Sequence, residues 1–296
     1  MDIKAMQYFL AVIREGTISA AAESLHVAQP SLSRQMKELE EELDATLFVR
    51  GNRKITLTEE GMVLRKRAEE MIRLMQMTEE EISQVKNNVS GNIRIGAGES
   101  IVFHYLSRTA AALAKDYPNI RFHVTSGDTR DLMDELDNGL IDFAVIFTET
   151  DHALYQSIPL PANDKFGILM RKDCDLAKKK ALKLSDLSDW PIIISRGAEP
   201  YLTGTGFLSG LHIIATYNLI YNASLMVEDG LGIAICFDHL LNTTGNSALT
   251  FRPLLPSPAI SGFLIWKKYQ VFPPAVQMFI ERIQEAVADW DQELES

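Results

Sequence analysis

Cysteine is scarce in this chain: Cys174 and Cys236 are the two among 296 residues. Two thiols build no disulfide framework, and no C-x-x-C pair offers a redox or zinc motif. Both sit among apolar residues and read as small structural side chains. No apolar run approaches the roughly 18 residues that a membrane span needs. The opening stretch, MDIKAMQYFLAVIREG, interrupts its apolar positions with polar ones and lacks a small-residue cleavage site. It is not a signal peptide, and the expected location is the cytoplasm with no membrane partner. Catalytic motifs are thin as well. Gly96-Ala97-Gly98 lacks the third glycine of the dinucleotide fingerprint. There is no Walker loop, G-x-S-x-G or H-E-x-x-H, and His26, His104, His123, His152, His212 and His239 are scattered with none at metal-ligand spacing. The expectation is a protein that is not an enzyme and holds no cofactor and no metal.

The formal charge of −11 weighs against a nucleic-acid partner only on average, because net charge sums over domains. Locally the sign changes. Arg34, Lys37, Arg50, Arg53 and Lys54 fall close together, whereas Glu38, Glu40, Glu41, Glu42 and Asp44 gather toward the end of one predicted helix. Charges act over a Debye length of about 8–10 Å. The pattern therefore predicts a locally basic edge on an acidic molecule, with binding that weakens in salt.

That edge belongs to residues 19–57. Met6, Phe9, Leu10 and Ile13 give a first helix that Gly16 ends, and Thr17 or Ser19 caps a second, Ala-rich helix running to about Leu25. A tight connection through His26 leads to a third helix at about 29–43. There Leu32, Met36, Leu39 and Leu43 share one face at spacings of four, three and four. Gln29, Ser31, Ser33, Arg34 and Lys37 point elsewhere. Pro30 stands in the first turn, where a missing N–H does no harm. Hydroxyls and an Arg near the N-terminal end of an exposed helix suit phosphate oxygens and major-groove base edges. Strands at 47–49 and 55–57 flank the basic turn Arg50-Gly51-Asn52-Arg53-Lys54. The pattern is a helix-turn-helix with a wing; the plainer alternative is a helical bundle with a solvated face.

The run A-A-x-x-L-H-V-A-Q-P-S-L-S-R-Q-M-K-E-L-E-E-E-L, then L-F-V-R and L-T-E-E-G, resembles the DNA-binding domain of the LysR-type transcriptional regulators. Further on, D-Y-P-N-I-R-F, L-D-N-G-L-I-D-F-A-V and V-E-D-G-L-G-I-A-I resemble segments of that family's effector domain. A departure is Cys236-Phe237, where many members continue with Leu-Pro; it touches a turn near the cleft. The resemblance implies an N-terminal all-α winged helix-turn-helix (1–58), a linker helix (59–87), a hinge (88–92) and an α/β effector domain (93–296). That last domain would resemble periplasmic solute-binding proteins. Subdomain I would cover about 93–161 with 268–296, subdomain II about 162–267, and two crossovers would join them.

The residues themselves support these divisions. From Thr58, Leu64, Ala68, Met71, Met75, Thr78, Ile82 and Val85 alternate at spacings of four and three, a heptad seam. Such a seam needs a partner, either its own chain or a second copy. The resemblance implies a second copy, so Leu64, Ala68, Met71, Met75, Ile82 and Val85 are candidate dimerisation residues. Residues 87–92 are polar and turn-forming. Strands at 93–97, 120–126 and 142–147 alternate with helices at 102–116 and 128–138, which predicts a mainly parallel sheet. A second set follows, with strands at 166–170, 192–195, 212–216, 232–236 and 263–266. Helices are expected at 219–228 and 238–241, and a last one at 274–290.

Ligands in open α/β sheets bind at strand carboxyl ends and helix N-termini. That rule selects Ser100, Ser126, Thr129, Thr148, Ser195 and Arg196, with Phe147, Tyr201 and Phe207 as apolar wall. Hydroxyls and free amides there suit a carboxylate or other small polar effector, and Arg196 could pair with it; Glu99 would repel an anion. Each hydroxyl could equally serve as a helix cap. The expected protein is a promoter-binding regulator modulated by a small molecule between two α/β subdomains. Its partners would be a pseudo-palindromic duplex, its own copy as homodimer or homotetramer, and RNA polymerase. Two rivals remain open: a constitutive repressor whose C-terminal domain only assembles, favoured by a cleft filled with side chains, and an enzyme fused to a DNA-binding domain, favoured by turnover of a bound metabolite.

Overall fold

A computed structural model describes residues 1–50, 55–84, 90–148, 150–204, 206–257 and 259–295. The chain forms two units, Met1–Lys86 and Asn87–Ser296.

The first unit begins with α1 (Ile3–Glu15), whose N-cap Asp2 accepts the Ala5 amide. Met6, Phe9 and Val12 face inward. Gly16 ends the helix in the left-handed region at φ 74, a conformation only glycine adopts without strain. Its carbonyl then accepts the Ile55 amide at 2.9 Å, so the same residue anchors the wing. Thr17 caps α2 (Ile18–Ser24), where Ala21 and Ala22 are buried and let the next helix approach closely. At the turn, Val27 N–H bonds the Ala22 carbonyl across His26, which takes φ 54.

Helix α3 (Gln29–Leu43) buries Leu32, Met36 and Leu39. Leu43, expected on that face, is 37% exposed; the helix ends there at Asp44 in the left-handed region, past the core. The wing strands are β1 (Phe48–Arg50) and β2 (Ile55–Leu57), paired antiparallel. The first starts one residue later than predicted, and the Glu40 carboxylate accepts the Leu47 and Phe48 amides, binding that end of the segment to α3. Thr58 caps α4 (Glu59–Gln84) through the Gly61 amide.

The second unit holds one sheet in the order β4-β3-β5-β11-β6-β9-β7-β8, with β10 added on β6. Its strands are β3 (Gly91–Ala97), β4 (Ile120–Ser126), β5 (Phe143–Ile146), β6 (Tyr155–Arg171), β7 (Pro191–Ser195), β8 (His212–Tyr217), β9 (Ile233–Phe237), β10 (Leu249–Pro253) and β11 (Ala259–Lys267). Its helices are α5 (Phe103–Asp116), α6 (Thr129–Asp137), α7 (Ala198–Gly204), α8 (Ile220–Glu228) and α9 (Pro274–Glu295). Parallel pairings join β3 to β4 and β5, and β7 to β8 and β9. Pairings among β5, β11, β6, β9 and β10 are antiparallel. The expectation of a mainly parallel sheet is thus corrected. Two long strands, β6 and β11, run from one parallel set to the other and pair with each other.

Strand β10 carries no alternating pattern and was not predicted, yet it seats its Phe251 ring where a Cβ on Gly167 would lie, 2.0 Å from the ring's Cζ. Residues 238–241 form a turn, not the predicted helix; His239 sits there at φ 63, its amide bonded to the Asp238 carboxylate. The first half of the sheet buries Ile93, Ile95, Phe143 and Leu264 against α5 and α9, where Phe143 meets Phe272 and Phe279 at ring distances of 5.3 and 5.8 Å. The other half packs Phe166, Ile168, Ile192, Ile194 and Ile235 into a core of its own.

Candidate DNA-binding surface and ligand cavity

Burial of Leu32, Met36 and Leu39 turns the opposite side of α3 outward. Gln29, Ser31, Arg34 and Lys37 are exposed and Ser33 is half-buried. No side chain caps the start of α3, so its first amides remain available to an anion. The sequence showed the basic residues but not their company. Arg34 Nε donates to Glu38 Oε1 at 2.7 Å, and Lys37 pairs with Glu41 at 3.2 Å, one helical turn on. Exposed pairs at this spacing contribute little, so either cation can exchange its carboxylate for a phosphate or a base. Arg50 closes β1, while Arg53 and Lys54 lie outside the described residues.

The heptad seam requires a correction. Leu64 and Ala68 are buried in the core of their own unit, and Met71 packs on it with Ile72. The first half of α4 spends its stripe on α1, and spacing alone cannot separate that use from a contact between copies. Val85 lies outside the described residues. Met75 is half-buried, and the exposed apolar residues of α4 are Met62, Val63, Leu74 and Ile82.

In the second unit the two parallel strand sets present their carboxyl ends to a common cavity of about 110 Å³. Thr129, Thr148 and Ser195 line it, as expected, with Phe147. Ser100 and Ser126 do not. They border a shallower depression beside it, and the Ser100 hydroxyl is committed to Asp164 Oδ2 at 2.5 Å. Arg196 also stays off the wall. Its guanidinium bonds Asp128 at 2.6 Å and, with a second nitrogen, Asp131. This ties the loop after β7 to the start of α6. Burial would raise the Asp128 carboxyl, but the Asp131 amide and the Arg196 guanidinium together bring it below its ordinary value. Gly197 lies so close to that helix start that a Cβ would come within 2.8 Å of the Asp128 Cβ.

Glu99 makes the second bridge. Its carboxylate accepts the Ile220 amide at the start of α8 at 2.5 Å, a helix whose N-cap Leu219 has no capping side chain. Burial pushes the Glu99 carboxyl up, and the Ile220 amide offsets part of that. Phe207 packs in the second half's core rather than on the cavity, and the Tyr201 side chain lies outside the described residues. Wall residues missed in the sequence are Phe166, Tyr217, Leu240 and Ile260. Cys236, the last residue of the predicted strand at 232–236, and Phe237 end β9 and line the cavity directly. Burial pushes the Cys236 thiol up to about 12, so it stays protonated and behaves as an apolar wall atom.

A winged helix-turn-helix unit followed by a two-part α/β unit with a cavity between its parallel sets defines a class: DNA-binding regulators with a small-molecule domain. Known proteins agree. The family profile for bacterial regulatory helix-turn-helix proteins of the lysR family matches residues 3–62, and that for the LysR substrate binding domain matches 86–288. The chain belongs to the LysR family of transcriptional regulators. It is 26% identical to the HTH-type transcriptional regulator BsdA of Bacillus subtilis, over 95% of this chain and 99% of the relative. It is 32% identical to a probable RuBisCO transcriptional regulator of Phaeodactylum tricornutum, over 62% of this chain and 61% of the relative. Its fold is that of CbnR, a LysR family transcriptional regulator, with a TM-score of 0.75 at 20% identity, covering 97% of this chain and 99% of CbnR. A full-length CbnR structure complexed with its target DNA gives 0.73.

Asp164 on β6 is 2% exposed. Burial raises its carboxyl above the usual range, and the Ser100 hydroxyl, the Ile101 amide and His239 hold it back in part. A raised folded-state value means a contribution to stability present below the ordinary carboxylate pKa, about 3.9, and lost as pH rises through the raised one. Asp164→Asn removes that loss. In urea unfolding across a pH series, the stability difference should move in the variant's favour from acid to neutral pH; a flat difference contradicts the assignment.

Proposed function

We propose that α3 enters the major groove of a promoter site, with Arg34 reading a base edge and Gln29, Ser31, Ser33 and Lys37 contacting bases or phosphates. Arg50, Arg53 and Lys54 of the wing would rest on the backbone. The observation that carries this is the exposed polar side of α3 opposite a fully buried Leu32–Met36–Leu39 stripe. In this reading two copies pair through the outer face of α4. Val63 and Leu74, eleven positions apart, lie within about 20° of each other around a helix, and Ile82 extends the patch. A symmetric pair, alone or doubled into a tetramer, presents two recognition helices to a pseudo-palindromic site.

The cavity of the second unit is assigned to binding, not catalysis. A ligand there would favour one arrangement of the two subdomains over another, and only that difference in affinity can shift the regulator's state. The changed assembly would alter DNA bending or contact with RNA polymerase. The reading places the protein with its DNA in the cytoplasm; among the described residues no helix is long and apolar enough to cross a membrane.

Two measurements test these assignments. On a duplex selected by the protein from a random-sequence pool, Arg34→Ala should weaken binding roughly tenfold or more relative to a scrambled duplex. Glu38→Gln should instead strengthen binding to both. Equal losses for Arg34→Ala on both duplexes would move Arg34 to the backbone. Replacing Leu74 and Ile82 together by Asp should lower the mass found by sedimentation; an unchanged mass would place the contact between copies elsewhere.

A further inference from the structure

The sequence suggested a carboxylate or other small polar effector, because hydroxyls and helix N-termini converge on the cavity. The structure shows that two of those helix starts already hold the protein's own carboxylates. Glu99 sits on the Ile220 amide that opens α8, and Asp128 accepts the Asp131 amide that opens α6. The Arg196 guanidinium, beside the cavity, is held by two aspartates. Among the described residues lining the cavity, the charged side chains are Glu99 and Asp128, both acidic. An anion would have to displace Glu99 and leave a half-buried carboxylate without its donor, or rest on the neutral donors of Thr129, Thr148, Ser195 and Asn218 beside two carboxylates.

The rest of the wall points the same way. Phe147, Phe166, Tyr217 and Phe237 line the space. The Phe237 ring lies 5.5 Å from Phe147 and 4.8 Å from Phe166, so three rings stand in contact along the wall. Aromatic faces carry negative charge and attract cations, the more so when water is excluded. Glu99 gives one oxygen to Ile220 and keeps lone pairs for another donor. The hydroxyls of Thr129, Thr148 and Ser195 accept as readily as they donate.

Resting on the reading of this cavity as the effector site, we infer that its ligand is a small organic cation, an amine with an apolar or aromatic body, held by Glu99 and the Phe147–Phe237–Phe166 surface. An amine there gains a charge-assisted hydrogen bond and ring faces without displacing any resident contact.

The test is calorimetric titration of the full-length protein with three matched series: primary amines from propylamine to 2-phenylethylamine, the alcohols of the same skeletons, and the corresponding carboxylates. The amines should bind best. Glu99→Gln, which keeps an oxygen to accept the Ile220 amide, should weaken the best amine roughly tenfold or more, the range for a hydrogen bond to a charged group, and leave the matching alcohol within about twofold. Tighter binding of carboxylates, or amine affinity indifferent to Glu99→Gln, overturns the inferred charge class while leaving the cavity as a binding site. Binding by none of the series, or binding undiminished when Phe237→Trp fills the cavity, overturns the cavity reading and this inference with it.

Discussion

The second unit depends on one pairing. Strands β6 and β11 run antiparallel from Lys165 opposite Ala259 to Tyr155 opposite Lys267, with one register shift near Ser261. Each contributes to both halves of the sheet, so the halves cannot separate without bending this ribbon. The cavity lies where the two parallel strand sets, one on each side of the ribbon, present their carboxyl ends to each other. The shift in β11 falls beside Gly262, where a Cβ would stand 3.0 Å from Val102 at the start of α5. Strand irregularities of this kind bend a pair locally. Asp164, on β6 in this same stretch, takes the Ser100 hydroxyl and so ties the ribbon to the loop after β3.

Around that ribbon the two halves are held at the cavity mouth by charge. Arg196 bridges to Asp128 and Asp131, and Glu99 bridges to the α8 amide. Both bridges are partly exposed, and their energies are modest compared with the hydrophobic cores on either side. They are the contacts that a change in closure would break first. Both put a carboxylate at a helix N-terminus that faces the cavity.

Much of the architecture was readable in the sequence, and the places where reading stopped have physical reasons. The spacing of Leu32, Met36 and Leu39 identified the buried face of α3, and so its outward one, because a helix has only two sides to choose between. Leu43 broke the pattern at the helix end, where geometry rather than period decides. The heptad of α4 was real, but spacing does not say whose side chains fill it; Leu64 and Ala68 met α1 of their own chain. β10 escaped because its five residues pair with an internal strand and show no alternation. In the cavity, strand-end logic found Thr129, Thr148 and Ser195. It misplaced Arg196, since a charge near a site is as easily spent on neighbouring acids as on a ligand. Glu99 was read as an obstacle to an anion, and its bond to Ile220, 121 residues away, was visible only in three dimensions.

In the proposed regulator, closure of the second unit is coupled to DNA binding by the first. The most direct measurement is the affinity of full-length Gly197→Leu for its selected duplex. At this position even a Cβ comes within 2.8 Å of the Asp128 Cβ, so a larger side chain props the mouth open. Coupling predicts a change in affinity of roughly fivefold or more, with the N-terminal unit's structure intact by NMR. An unchanged affinity, with the mouth shown to be open, would contradict it.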